Sequence, residues 1–203
     1  MLIKNLLVFI HLIAMAVAVG KMLEFDLRFL RASHVPPNGS MRRALHLTRR
    51  TMESALVVLW ITGLALVAWA WRLDANALLN EKLWMKVLTV CCLTLNGALM
   101  HRYAFPLLQG PRPFLALPLP QLLGLTVFAA VSSVSWMYAS FLGIARSWNH
   151  STPFAHALTV SLALLSAAAI GGMIGISLLR ARYLAQARTR RFPPTMVQGR
   201  RVG

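Results

Sequence analysis

Residues 154–179 read FAHALTVSLALLSAAAIGGMIGISLL, and this stretch decides the fold because none of its 26 residues is Asp, Glu, Lys or Arg. An α-helix rises about 1.5 Å per residue, so the stretch can cross a hydrocarbon layer roughly 30 Å thick. Charged side chains are costly at that depth, which is why such runs lack them. The stretch therefore predicts a transmembrane helix.

Four further apolar runs of similar length precede this stretch. Together the predicted spans are residues 6–23, 55–71, 83–100, 122–145 and 154–179. The chain of 203 residues is 58% hydrophobic and only 13% charged, whereas about a quarter of a soluble domain is charged. We predict an all-α fold, a polytopic membrane helix bundle of about five transmembrane helices in residues 1–183. A basic cytoplasmic tail in residues 184–203 follows it.

The net charge of +16 lies in the segments between the apolar runs rather than on one soluble face, which argues against a nucleic-acid partner. With five crossings, 16 Lys and Arg residues fall on one side of the membrane and 5 on the other. Loops on the cytoplasmic side carry the excess of cations. We therefore predict a bacterial inner (cytoplasmic) membrane protein with its N-terminus outside, its C-terminus cytoplasmic, and its basic face on anionic lipid.

The few acidic residues are predicted to lie at the ends of the spans. Glu24 and Asp26, at the end of the first span, are expected to pair with Arg28 or Arg49, and Glu53 with Arg49 or Arg50. No Asp or Glu falls in the middle of a predicted span. The sequence therefore lacks the carboxylate relay of a proton-coupled transporter.

Histidines are the candidate ligands. His11 lies about 9 Å inside the first span, on the face of Ala14 and Ala18. Its imidazole can ligate a metal, bind a haem iron axially, or hydrogen-bond another helix. Two levels are predicted, with His11 and His156 toward the outside and His46 and His101 toward the cytoplasm. We therefore predict haem b as the cofactor, with His11, His101, His46 and His156 as cofactor-binding candidates, and His11 and His101 as metal ligands.

Small residues are predicted to mark helix contacts, because they let helices approach closely in lipid. The fifth span carries a stripe with a spacing of four residues, namely Ala163, Ala167, Gly171 and Gly175. Such a face can pack within the bundle or against another subunit. A homo-oligomer or a larger membrane complex is therefore a predicted partner.

Two short stretches resemble a known family. Residues 6–11 (LLVFIH), Gly20 and residues 27–31 (LRFLR) are similar to the first helix of HemJ-type and copper-resistance protein D-type membrane proteins. Residues 82–88 (KLWMKVL) resemble their third helix. The resemblance covers about the first 105 residues, and HemJ-type proteins are protoporphyrinogen oxidases that bind haem b. It implies that His11 lies at a haem or porphyrin site, with Lys86 as the partner of a propionate.

Three functions follow as predictions. The first is an integral membrane haem b- or porphyrin-binding protein in electron transfer or porphyrinogen oxidation, in which case the chain is an oxidoreductase or a subunit of one. The second is a cofactor-free accessory subunit of a larger membrane complex. The third is copper or other metal-ion transport, with His11, Met15 and Met22 as a path of soft ligands.

Overall fold

The computed structural model describes residues 2–191 of the chain, and the side chains of residues 2–187. Five long helices account for most of these residues, and the described part of the chain holds no strand. They are α1 (Leu2–Ala32), α2 (Gly39–Leu73), α3 (Glu81–Leu99), α4 (Leu119–Ile144) and α5 (Phe154–Arg191). All five are long and apolar enough to cross a membrane. The predicted all-α membrane bundle of five spans is confirmed, and the chain is a multi-pass membrane protein.

The helices extend beyond the predicted spans because their polar ends remain helical. α1 continues nine residues past predicted residue 23, and α2 begins at Gly39, where the Asn38 side chain accepts the Met41 N–H at 2.9 Å. α5 continues to Arg191 through a stretch rich in leucine, alanine and arginine, which favour helix. Residues 184–191 of the predicted tail are therefore helical, and residues 192–203 lie outside the described residues.

Consecutive helices run in opposite directions, so the bundle has two ends. The N-terminal rim holds the starts of α1, α3 and α5 and the ends of α2 and α4. The opposite rim holds the α1–α2 and α3–α4 connections. At the N-terminal rim the Glu81 carboxylate accepts the N–H of Phe154, the first residue of α5. At the opposite rim the Leu115 N–H donates to the Ser33 carbonyl at 3.2 Å.

α1 packs lengthwise against α2 through small residues. Ala14 and Ala18 are buried there, beside Ala55 and Leu59 of α2. Small side chains let the two backbones approach, and in lipid the gain comes from van der Waals contact rather than from exclusion of water. The predicted contact face of Ala14 and Ala18 is confirmed, whereas the neighbouring face of Ala16 and Gly20, also predicted to be a contact face, is exposed.

α3 packs against α4, which in turn packs against α5. Asn96 Nδ2 of α3 donates to the Phe128 carbonyl of α4 at 3.1 Å, and Tyr138 of α4 donates to the Ala157 carbonyl of α5 at 2.7 Å. α3 continues through a π-helical turn at Met100–Ala104. Because a π-turn holds one more residue than an α-turn, it changes which side chains the end of α3 turns toward α2.

The small-residue stripe of α5 lies mostly on the outside of the chain. Ala163, Ala167 and Gly171 are exposed, and only Gly175 faces a cleft of the bundle. Other α5 residues, such as Ala157 and Ile176, make the contacts with the rest of the chain. The first three stripe positions therefore form no contact face within the described residues.

Candidate functional site

A cleft of about 330 Å³ separates α2 from α3 in the half of the bundle nearest the N-terminal rim, and we call it cleft 1. Its walls are mostly leucine, valine and alanine, and Leu64 on the α2 wall is 59% exposed, so the cleft opens sideways. At the end of cleft 1 farthest from the N-terminal rim, Trp60 Nε1 donates to Thr94 Oγ1 across the two helices at 3.0 Å. Polar side chains also line it: His11, Trp60, Asn80, Lys82, Lys86, Asn149 and His150.

His11 reaches cleft 1 from α1 and is held by a hydroxyl of α2. Its Nδ1 lies 2.7 Å from Thr62 Oγ1, which also lies 2.6 Å from the Val58 carbonyl. When the Thr62 hydroxyl donates its one hydrogen to Val58, it accepts from His11 and the ring hydrogen lies on Nδ1. Nε2 keeps its lone pair and has no hydrogen-bond partner among the described residues. The predicted hydrogen bond from His11 to another helix is confirmed, and one ring nitrogen remains available to a ligand.

Two lysines one turn apart on α3 also line the cleft. Lys82 is only 3% exposed, and its Nζ donates to the Ala145 carbonyl at the end of α4 and to Asn149 Oδ1 at 3.0 Å. Lys86 is half-buried, and no carboxylate or hydrogen-bond acceptor pairs with it within residues 2–187. Lys82 thus connects the start of α3 to the end of α4, whereas Lys86 is an unpaired cation about 7 Å inside α3.

His150 enters cleft 1 from the α4–α5 connection, and sequence reasoning missed it. Its backbone φ of 56° is left-handed, a conformation uncommon for residues other than glycine, in which histidine is enriched. That turn brings residues 149 and 150 to the start of α3. The hydropathy pattern carries no signal for such a turn, because it lies outside every apolar run.

The other predicted histidines lie elsewhere. His156 is exposed and meets Trp148 edge to face, with 5.8 Å between the ring centroids. His46 is exposed on α2 and does not line cleft 1. His101 Nε2 contacts the Glu53 carboxylate, which also accepts from Arg49 Nε at 3.0 Å. The structure therefore brings together neither His11 with His156 nor His46 with His101 as a ligand pair.

The ion pairs at the opposite rim agree in part with the predictions. Glu53 pairs with Arg49, and Glu24 pairs with Arg28 at 2.9 Å, as predicted. Asp26 instead accepts a hydrogen bond from Ser133, near the middle of α4, at 2.9 Å. The expected pairing of Asp26 with an arginine is therefore not found among the described residues, and Asp26 reaches deeper into the bundle than a residue at the end of a span.

The residues of cleft 1 fit a flat, amphipathic ligand better than a bare metal ion. No group of three or more His, Cys, Asp or Glu side chains suitable for a metal ion occurs in the described part of the chain. A haem needs fewer protein ligands, because its porphyrin supplies four nitrogens and the protein adds one or two axial groups. The free Nε2 of His11 would supply one ligand to a haem iron, and the unpaired Lys86 would suit a carboxylate at the edge of such a ligand.

Comparison with known proteins adds no family to this geometry, since no family model, curated protein or solved structure matches the chain. The resemblance to HemJ-type and copper-resistance protein D-type proteins stays a prediction from short stretches.

Proposed function

We propose that this chain is a haem b- or porphyrin-binding protein of the bacterial inner membrane, acting in electron transfer or porphyrinogen oxidation, with cleft 1 as its binding site. One observation carries the proposal: His11 has its Nδ1 fixed by Thr62 and its Nε2 free, in the same cleft as the unpaired Lys86. When bound, a haem would supply an iron that exchanges one electron at a time.

The residues of the cleft have separate parts in this proposal. Thr62 fixes the tautomer and the orientation of His11, which is what outer hydrogen bonds do for ligating histidines. Lys86 pairs with a propionate, and its burial among valines and leucines strengthens that attraction. The apolar walls keep water away from the bound ring. They contact the ring without forming hydrogen bonds to it.

The placement in the membrane is part of the same proposal. Arginines are concentrated at the opposite rim, near the end of α1, in the first turns of α2 and in the last turns of α5. That asymmetry supports a cytoplasmic opposite rim and contact with anionic lipid headgroups, worth about 1 kcal/mol per cation near the surface. Cleft 1 then lies in the outer half of the membrane.

Two ligands and two variants test the proposal. The protein is purified in a mild detergent, incubated with hemin or with metal-free protoporphyrin, and passed through a gel-filtration column. We expect a Soret band with hemin, and we expect His11→Ala to lower hemin affinity tenfold or more, by about 1.4 kcal/mol at least, because the axial nitrogen is lost. Lys86→Gln should weaken retention of both ligands, since each carries propionates.

His46→Ala and Lys4→Gln are the matched controls, because both residues are exposed and neither lines cleft 1. They should bind hemin and protoporphyrin as the unchanged protein does. Equal hemin affinity in His11→Ala and His46→Ala would show that the axial ligand lies elsewhere. A protein that retains neither ligand contradicts the proposal.

A cofactor-free accessory subunit is the second candidate, and the exposed face of α5 favours it. Ala163, Ala167 and Gly171 are small residues at a spacing of four, and all three are exposed on the outer surface of α5. In lipid such faces pack closely against other helices. A colourless protein that leaves the membrane with a stoichiometric partner would favour this function. No observation favours copper transport, because Met22 is buried in the α1–α2 core.

A further inference from the structure

A second cleft, of about 380 Å³, lies in the half of the bundle near the opposite rim, and we call it cleft 2. All five helices contribute to its walls, and α3 contributes through its π-helical turn and the residues next to it. Cleft 2 shares no lining residue with cleft 1. Its volume is near the lower end of the range for small-molecule sites in proteins, about 300–1,000 Å³.

A carboxyl group lies on one wall of cleft 2. Asp26 of α1 accepts a hydrogen bond from Ser133 Oγ at 2.9 Å, through its Oδ2. Ser133 is 14 residues into the 26-residue α4, so the pair is level with the middle of that helix. Asp26 Oδ1 has no hydrogen-bond partner among the described residues. A carboxyl group with a fixed orientation therefore keeps one acceptor oxygen for something in the cleft.

A guanidinium group from α2 also lines cleft 2. Arg49 donates from Nε to Glu53, and its Cζ lies 5.6 Å from the centre of the Phe105 ring. The Nε bond and the ring fix the plane of the guanidinium group, while its two terminal nitrogens have no hydrogen-bond partner within the described residues. These terminal N–H groups are the donors that the cleft offers, as Asp26 offers the acceptor.

Aromatic rings complete the walls. Phe25, Phe29, Phe105 and Phe114 all line the cleft, and Phe29 meets Phe114 edge to face with 4.7 Å between centroids. The α5 wall includes small residues such as Gly172 and Gly175, so it projects little into the cleft. Flat rings pack well on such walls, since aromatic pairs favour offset or edge-to-face contact.

We propose that cleft 2 binds a lipid-soluble quinone or its quinol. The donor and acceptor select a neutral ring that carries an oxygen at each end, because Arg49 repels a lipophilic cation and Asp26 repels a lipid anion. A quinol hydroxyl donates to Asp26 Oδ1, and the second oxygen of the ring accepts from Arg49. The isoprenoid tail leaves between apolar side chains toward the lipid. This inference concerns binding alone, and it holds whether or not cleft 1 takes a haem.

Asp26 distinguishes the two redox states of the ligand. When Asp26 is ionised, the hydroxyl of a quinol can donate to its free oxygen, whereas a quinone has only acceptor oxygens and gains nothing from that atom. Removing the charge of Asp26 therefore weakens the quinol more than the quinone. A purely structural role for Asp26 would change both affinities equally.

The test uses decylubiquinone and its reduced form, titrated separately into the purified full-length protein in mild detergent, under anaerobic conditions for the quinol. We expect Asp26→Asn to weaken quinol binding about tenfold and to change quinone binding less than about twofold, as for the loss of one hydrogen bond to a charged group. Glu24→Gln is the matched control. It changes an exposed carboxylate two residues away on α1 that does not line cleft 2.

A blocking variant keeps the proposal falsifiable should Asp26→Asn fail to fold. Ala129 is exposed and lines cleft 2, so Ala129→Phe fills the space of the ring without altering a polar group. It should abolish binding of both redox forms while the gel-filtration profile stays unchanged. Binding that survives in Ala129→Phe overturns the proposal. So does preferential binding of tetraphenylphosphonium or oleate, which would assign the cleft to a cation or to a lipid anion.

Discussion

At the scale of single residues, Thr62 decides which nitrogen of His11 meets a ligand. When its hydroxyl donates to the Val58 carbonyl, it accepts from the imidazole and favours the tautomer in which Nε2 is free. No carboxylate is among the described residues that line cleft 1. A neutral partner of this kind orients the ring but adds less to its basicity than a carboxylate would.

Replacing Thr62 tests this orienting role. Thr62→Val keeps the shape but removes the acceptor, so we expect hemin affinity to fall about tenfold while His11 is still present. Thr62→Ser should restore it, because serine again offers an oxygen at that place. Thr159→Val is the control, since the Thr159 hydroxyl is exposed and bonds only its own helix. Hemin titration of the four proteins gives the result, and equal affinities would contradict the orienting role.

The position of His11 could be predicted from sequence, and its partner could not. The face that His11 shares with Ala14 and Ala18 is visible in the spacing of α1 alone, and it indeed packs against α2. Thr62 lies 51 residues away, and the relative sliding of two apolar helices sets which residues meet. Apolar patterning does not encode that sliding in lipid, where every side of a helix can be apolar.

At the scale of helices, polar contacts at the N-terminal rim fix how α3, α4 and α5 meet. Lys82 joins the start of α3 to the end of α4, and Glu81 beside it accepts from the first N–H of α5. Helix starts have unpaired N–H groups and a partial positive charge, so a carboxylate there is favourable. Glu81 and Lys82 thereby connect the ends of three helices.

Lys82→Met should therefore loosen that rim. The change leaves the Ala145 carbonyl and the Asn149 side chain without their donor, and we expect a loss of about 1–3 kcal/mol in the free energy of unfolding. Unfolding in mild detergent with increasing sodium dodecyl sulfate measures it. Lys4→Met is the control, because Lys4 is exposed near the start of α1. Equal stability of the two variants would show that the tie is dispensable.

Hydropathy was enough to predict the five helices, and their ends were harder to predict. α1 and α5 run past the apolar runs because charged residues such as Arg28 and Arg182 favour helix as well as leucine does. The π-helical turn at the end of α3 has no signature in the apolar pattern. It helps to shape cleft 2, which is why the sequence did not reveal that site.

At the scale of the whole molecule, the two clefts lie in opposite halves of one bundle. His11 and Asp26 are 15 residues apart on α1, which corresponds to about 22 Å along the helix axis. The predicted charge asymmetry would put cleft 1 on the outer side and cleft 2 on the cytoplasmic side. The two proposed ligands would then occupy different leaflets.

Orientation can be measured directly. A green fluorescent protein fused after residue 203 should fluoresce in a bacterial host, and alkaline phosphatase at the same place should stay inactive, because the first folds in the cytoplasm and the second in the periplasm. Fusions in the 74–80 connection should give the reverse result. Active phosphatase at the C-terminus would reverse the orientation, and with it the leaflet of each cleft.

The sideways opening of cleft 1 has a consequence for how any affinity is measured. A molecule that enters there displaces acyl chains instead of water, and replacing one apolar contact by another yields little free energy. The specificity of binding then depends on the His11 imidazole and the Lys86 ammonium group, because hydrocarbon cannot pair with either group. Alkyl detergents will compete for the same space, so apparent dissociation constants should rise with micelle concentration.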